Sequence, residues 1–253
     1  MLKFIGTGSA FNTELGNTSA YIKENDNLLL LDCGETVFSR IKDLNILEDV
    51  KNVYIAITHN HSDHVASLPT LIEYLNLYKG IIPNIILAND DSSEKQEQNL
   101  KALLEKFAIS EEDYEFTYGD MIEGVITDLN KIEFVEVKHS SKLTSYAIEL
   151  QFSEFTIYYV GDNKDVAYLK KIAKKLKKDD LVFTDCMLKD YKGSIHVTLD
   201  ELNSIFDKEQ KKQVTCMHFD GQNTYCLAKE MGFEVANKEL DKKQLLRRMA
   251  DKT

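Results

Sequence analysis

Three imidazoles and a carboxylate fall within six residues, His59, His61, Asp63 and His64, directly after the apolar, β-branched stretch 53–57. No other feature limits the fold and chemistry of this chain as strongly. Side chains two apart on an extended strand end point the same way, so His59 and His61 can reach one cation. Asp63 and His64 follow as the chain turns and can face a second. Imidazole with carboxylate suits Zn²⁺, with Mn²⁺ or Fe²⁺ as alternatives, whereas Mg²⁺ and Ca²⁺ prefer oxygen throughout. A mere His-rich surface turn is the poorer reading, because clustering three imidazoles without a partner carries a desolvation cost.

The other three His residues stand at ends of elements. His139 closes the alternating strand 132–138, His218 ends the strand 214–217, and His196 sits just before a helix. Asp162 ends the apolar strand 155–160, and Gly161 beside it permits a tight turn. Ligands at several strand ends converge on one rim of a sheet.

With 253 residues, 43% of them hydrophobic, the chain can bury one substantial core. No Pro/Gly/Ser-rich linker divides it, which predicts a single domain over 1–253. Cys33, Cys186, Cys216 and Cys226 form no C-x-x-C pair; they read as reduced, buried thiols of a cytoplasmic protein. The apolar runs 1–6 and 81–87 are too short for an export signal or a membrane span. A formal net charge of −11 argues against an extended nucleic-acid surface, which rests on Lys and Arg meeting phosphates. The lysines at 170, 171, 174, 175, 177 and 178 alternate at helical spacing with Leu169, Ile172, Ala173 and Leu176, as on a solvated helix with an apolar underside.

Strands are predicted over 2–6, 20–23, 28–32, 115–118, 131–137, 145–150, 155–160, 181–185 and 214–217. Helices are predicted where Val65, Leu68, Leu71, Ile72 and Leu75 recur, with Pro69 in the first turn, and where Leu100, Leu103, Leu104 and Phe107 share a face behind a Ser93-to-Gln96 capping box. A further helix opens on a Thr198–Glu201 capping box, with Leu202, Ile205 and Phe206 inward. Strands first, then strands alternating with helices, imply α/β sheets sandwiched by helices.

The set His59-x-His61-x-Asp63-His64, His139, Gly161-Asp162 and His218 resembles the metal motifs of the metallo-β-lactamase fold. The resemblance implies an αβ/βα four-layer sandwich. The segments Ile5-Gly-Thr-Gly-Ser-Ala10, Asn17-Thr-Ser-Ala-Tyr21 and Asp32-Cys-Gly34, with His196-Val-Thr198, are similar to the tRNase Z branch of that superfamily. By that resemblance two divalent cations, Zn²⁺ first and Mn²⁺ next, would be held by His59, His61 and His139 on one side and by Asp63, His64 and His218 on the other, with Asp162 bridging. Asp63 would be the general base. His196 would bind the phosphate or protonate the leaving O3′, and Asp32 would stand behind the ligands. Asp185 falls where the branch usually has Glu, and Tyr159 replaces a Glu expected to partner the extra His.

One departure bears on substrate. The basic, Gly/Pro-rich arm with which tRNase Z proteins grip tRNA is missing, since only the strands from 145 to 160 separate His139 from Asp162. An acidic, armless chain with these residues is similar to the small cyclic-nucleotide phosphodiesterases of the superfamily, the phage anti-Pycsar proteins and their bacterial relatives. That resemblance implies hydrolysis of 3′,5′-cyclic mononucleotides to 5′-monophosphates, in opposition to cyclic-nucleotide antiphage signalling, by a homodimer. An armless RNA 3′-end endonuclease and a non-catalytic nucleotide sponge are the alternatives.

Overall fold

Alternate leucines of one strand enter different cores. Leu28 and Leu30 face one hydrophobic cluster, and Leu29 and Leu31 another, as the two-residue period of a strand requires when both faces of its sheet are covered. The computed structural model describes residues 2–88, 93–122 and 124–237. Its first half runs β1 (Lys3–Gly6), β2 (Ser19–Glu24), β3 (Asn27–Leu31), α1 (Val37–Asp43), β4 (Asn52–Ala56), α2 (Ser62–Val65), α3 (Leu68–Tyr74), β5 (Asn84–Leu87), α4 (Ser93–Glu105) and β6 (Glu115–Tyr118). The second half runs β7 (Leu129–Val137), β8 (Ser145–Phe152), β9 (Thr156–Gly161), α5 (Val166–Lys175), β10 (Leu181–Asp185), α6 (Leu199–Ile205), β11 (Val214–Met217), α7 (Gln222–Glu230) and β12 (Glu234–Val235).

Each half builds a six-stranded sheet, in the orders β1-β2-β3-β4-β5-β6 and β12-β11-β10-β9-β8-β7. Strands β3 to β6 are mutually parallel, as are β9 to β12, while β1-β2-β3 and β7-β8-β9 are antiparallel meanders. Three cores fix the layers. Val37, Ile41, Leu68, Leu71, Leu100 and Leu104 cover the outer face of the first sheet. Leu29, Leu31, Phe134, Ile148, Leu150 and Tyr159 fill the space between the sheets. Leu169, Ile172, Leu199, Leu202 and Ala228 cover the outer face of the second. The result is an αβ/βα sandwich, and each fully buried Leu or Ile contributes roughly 1.5–3 kcal/mol relative to exposure.

Several expectations need adjusting. The helix after the His cluster is broken into α2 and α3 and ends in a π-helical turn, Leu75–Lys79, closed by Gly80 at φ +65°. Pro69 does sit in the first turn of α3. Phe107, expected on the buried face of α4, lies beyond the helix end at Glu105 and is exposed. The capping box expected from Ser93 to Gln96 lies outside the described residues, and Gln96 accepts the Ala88 N–H at 2.9 Å. Cys226 is exposed on α7, whereas Cys33, Cys186 and Cys216 are buried. Helices α1 and α7 and strands β5 and β12 are elements that the sequence reading did not assign. No helix among the described residues is long and apolar enough to cross a membrane.

Candidate metal centre

Because β1, β3, β4, β7, β9, β10 and β11 all run in the same sense within their sheets, their C-terminal ends open on one rim. Asp32 follows β3, His59 follows β4, His139 follows β7, Asp162 follows β9, Asp185 ends β10 and His218 follows β11. Three of these exits turn through left-handed backbone: Asp32 at φ +63°, Gly161 at φ +65° and His218 at φ +59°. Such a conformation is uncommon for residues other than glycine and collects at functional sites. At Gly161 a side chain would also press on Thr58, whose Cγ2 would lie 3.1 Å from its Cβ. At His218 the turn sends the next residue, Phe219, into the core, where its N–H donates to the Thr7 carbonyl at 2.9 Å. His61 is the extended N-cap residue of α2. Its carbonyl accepts the N–H groups of His64 and Val65, at 3.0 and 3.1 Å, which winds Asp63 and His64 into the same small space. Gly34 passes so close to the Asp63 carbonyl that a Cβ there would lie 1.9 Å from the oxygen. That contact makes residue 34 a glycine.

The structure brings all seven expected ligands together in two adjoining groups. His59 Nε2 lies 3.0 Å from His61 Nδ1, and His139 Nε2 lies 3.2 Å from that same atom. In the second group His64 Nε2 stands 3.4 Å and His218 Nε2 3.2 Å from Asp63 Oδ2. One atom joins the groups. Asp162 Oδ2 is 3.3 Å from both His64 Nε2 and His218 Nε2, 3.8 Å from His139 Nε2 and 4.0 Å from His59 Nε2. Two donors held about 2.0–2.1 Å from a tetrahedral cation stand roughly 3.3 Å apart, so these spacings fit divalent metal. Two buried atoms reinforce the fit, since His64 Nε2 and Asp162 Oδ1 have no hydrogen-bond partner. Buried polar atoms are rarely left so, and an ion is one of the few things that satisfies both a bare imidazole nitrogen and a carboxylate.

Electrostatics agree with that use. Burial pushes the His59 pKa well below its ordinary value, with His64 adding to the effect against Asp162, and burial likewise lowers His61 and His139. These three imidazoles are therefore neutral, the form that ligates. Burial alone would raise Asp162, but the His218 and His64 side chains outweigh it and hold this carboxylate well below the usual range. Asp63 is depressed too, its burial overcome by the hydrogen bond from His218 and the nearby His64 side chain. At His64 burial opposes the charge, yet Asp162 and Asp32 on either side raise its pKa well above the ordinary value. A pocket that so strongly favours a proton at His64 Nε2 favours a cation in the same place.

Further residues stand behind and beside these. Asp32, fully buried, accepts from His64 Nδ1 at 2.9 Å, from the Thr58 N–H at 2.7 Å and from the Thr58 hydroxyl at 2.9 Å. His196 does not enter the two groups of three or four, but its Nδ1 lies 3.9 Å from Asp162 Oδ2. Its Nδ1–H donates to Asp185 Oδ2 at 2.8 Å. Burial works against the His196 charge, but the Asp185 hydrogen bond and the nearby carboxylates raise its pKa to about 9. Asp185 is itself fixed by the Asn163 side-chain amide at 3.1 Å and backbone N–H at 3.2 Å. The partner of His196 is thus Asp185, a role the sequence reading left open. Tyr159, at the position where a Glu partner is expected, is fully buried between the sheets. The one signal that marked Asp185 beforehand is its place at the end of a buried strand, like Asp162. Thr58 and Asn163 carried no such signal.

Comparison with known proteins places this geometry. The anti-Pycsar protein Apyc1 of Bacillus phage BSP38 is 29% identical over 238 residues, covering 86% of this chain and 88% of that protein. A diphosphatase from the PhnP family superposes with a TM-score of 0.68 at 18% identity, over 94% of each chain. The metallo-β-lactamase fold protein YhfI from Bacillus subtilis does so at 0.64 and 17% identity, over 93% of this chain and 94% of that one. The two sheets and their helices are therefore a metallo-β-lactamase fold. The family described as Anti-Pycsar protein Apyc1 matches residues 1–239. That span takes in both sheets and every residue of the rim, and the chain belongs to the anti-Pycsar Apyc1 family.

Proposed function

We propose that this protein hydrolyses 3′,5′-cyclic mononucleotides to 5′-monophosphates with two divalent cations, Zn²⁺ or in its place Mn²⁺. His59, His61 and His139 would hold one cation, Asp63, His64 and His218 the other, and Asp162 would span both. The observation that carries the reading is Asp162 itself, whose Oδ2 faces imidazoles of both groups while its buried Oδ1 lacks a partner. When bound, the cations would supply a water acidified toward neutral pH and positive charge opposite a phosphoryl group. Membership of the family and the hydrolase fold support a metal-dependent, phosphodiesterase-like role, and the finer substrate is our own step.

The chain's residues divide the remaining work. Asp63 is held ionised, and a carboxylate with one oxygen engaged keeps the other to accept the proton of an attacking water. His196 is protonated at neutral pH, and Asp185 occupies its Nδ1. Its Nε2–H is left to donate to a phosphoryl oxygen or to deliver the proton that O3′ takes as the P–O3′ bond breaks. Two features favour a small substrate. Between His139 and Asp162 the chain forms only the β8–β9 hairpin and short connections, with no arm to grip RNA, and the formal net charge is −11. We also propose that the protein works in the cytoplasm as a homodimer, which sedimentation of the purified protein would check.

The test is to incubate metal-loaded protein with a panel of 3′,5′-cyclic mononucleotides and an unprocessed tRNA and to identify the products chromatographically. The expected result is 5′-monophosphates from the cyclic nucleotides and an intact tRNA. Cleavage of the tRNA alone would replace this reading with an RNA endonuclease, and tight binding with unchanged nucleotide would replace it with a sponge.

A further inference from the structure

We propose that Phe11 is the platform on which the substrate's nucleobase stacks, an inference that rests on the cyclic-nucleotide reading above. Phe11 is 96% exposed, the barest large apolar side chain among the described residues. Its surroundings are not those of a loose tip. The loop between β1 and β2 leaves the C-terminal end of β1, and β1 runs parallel to β3 through the meander, so the loop emerges on the ligand rim. Ser9 N–H and Asn12 Nδ2 both donate to the carbonyl of Phe219, at 3.0 and 3.1 Å, and Phe219 is the residue after His218. Phe11 lies between these two anchors. The loop is braced again from below, where the Arg40 guanidinium of α1 donates to the carbonyls of Leu15, Glu14 and Thr13 at 2.9, 3.2 and 3.3 Å. Asn12 closes the turn by accepting the Leu15 N–H on its side chain and the Gly16 N–H on its carbonyl.

A phenyl ring on a slack loop would collapse onto the nearest apolar surface, because leaving it in water is unfavourable. Here the backbone is tied at both sides, so the ring is held out and its face stays available without an ordering cost at binding. The anchors place Phe11 within two residue steps, each about 3.8 Å, of the backbone that adjoins His218. A nucleobase sits one ribose away from the phosphate that the rim would hold. An aromatic ring with no hydrogen-bonding group recognises the π-face that every base shares, so the platform predicts tolerance of all bases, with the larger purines held better than pyrimidines.

The experiment compares the metal-loaded wild type with Phe11→Ala, Phe11→Tyr, Phe11→Trp and, as an exposed aromatic on the opposite rim, Tyr78→Ala. Substrates are 3′,5′-cyclic AMP, 3′,5′-cyclic CMP and the base-free 1-deoxyribose 3′,5′-cyclic phosphate. Loss of stacking is expected to raise KM for cyclic AMP about tenfold in Phe11→Ala, less for cyclic CMP, with kcat within about twofold. The Tyr and Trp variants should restore KM, Tyr78→Ala should match the wild type, and the base-free substrate should not distinguish Phe11→Ala from the wild type. An unchanged KM for cyclic AMP in an active Phe11→Ala, an equal loss on the base-free substrate, or a change of oligomeric state in sedimentation would overturn the platform and leave the cyclic-nucleotide reading standing. A wild type that turns over no cyclic nucleotide would remove both.

Discussion

Each imidazole of the rim that has a partner on its far side uses Nδ1 for it. His59 meets the Thr58 hydroxyl at 3.0 Å, His64 meets Asp32 at 2.9 Å, His139 donates to the Ile195 carbonyl at 2.9 Å, and His196 to Asp185 at 2.8 Å. These bonds select the tautomer and orient the ring, so that Nε2 faces the centre. Asp32→Asn should keep the fold, with unchanged far-ultraviolet circular dichroism, and lower metal affinity about 10–100-fold, read by titration against a competing chelator. Asp185→Asn should lower kcat by about 10–100-fold with little change in KM, because it removes the charge that keeps His196 a proton donor. The Asp185→Asn, His196→Ala double variant should be no slower than His196→Ala alone, since the two act as one unit; additive losses would assign Asp185 an independent role. The His/Asp cluster was legible in the sequence because few residue types hold metal, and four of its seven members, His59, His139, Asp162 and His218, follow strand ends, while His61, Asp63 and His64 come at the start of α2. Asp185 was not legible as a partner, because its bond to His196 depends on how the loop 186–195 folds back, which no spacing rule encodes.

At the level of elements, local chemistry was readable and long-range clamps were not. Thr198-x-x-Glu201 reads as a capping box and forms one, with the Thr198 hydroxyl accepting the Glu201 N–H at 3.1 Å and Glu201 accepting the Thr198 N–H at 2.8 Å. Thr198→Ala should cost about 1 kcal/mol of stability in a denaturant titration. Glu201 adds a pH dependence. Although burial works the other way, its bonds to Thr198 and Lys164 hold its folded-state pKa below the ordinary value. Its contribution is therefore present above the unfolded pKa of about 4.3 and fades as acid titrates the folded carboxylate. The stability gap between wild type and Glu201→Gln should narrow as pH falls below about 4. Arg40 shows the opposite case, a buried cation whose partners are main-chain carbonyls from another segment and so invisible to any pattern. Arg40→Ala strands those carbonyls, and a loss of roughly 2–4 kcal/mol is expected, with the loop 7–16 becoming sensitive to protease. Phe107 escaped the α4 pattern because periodicity does not mark where a helix stops.

Across the whole molecule, the centre joins two sheets that otherwise meet through apolar contact. His59, His61, Asp63 and His64 come from the first half, and His139, Asp162 and His218 from the second. A cation bound to both groups ties the halves, and its binding free energy adds to that of folding. Chelator treatment should lower Tm, and Tm should rise with free Zn²⁺ concentration once the metal is returned, as scanning calorimetry would record. A Tm indifferent to metal would mean that the cluster holds none. Sheets sandwiched by helices were legible in the order of strands and helices, the four-layer order followed from the family resemblance, and the pairing of one half with the other came only with the three-dimensional fold. His218 Nε2 faces an Asp63 oxygen 155 positions earlier in the chain. A ribosome must therefore extrude the chain through residue 218 before this last imidazole can join the rest, and a nascent chain that stops short of it cannot keep a complete pair of ions.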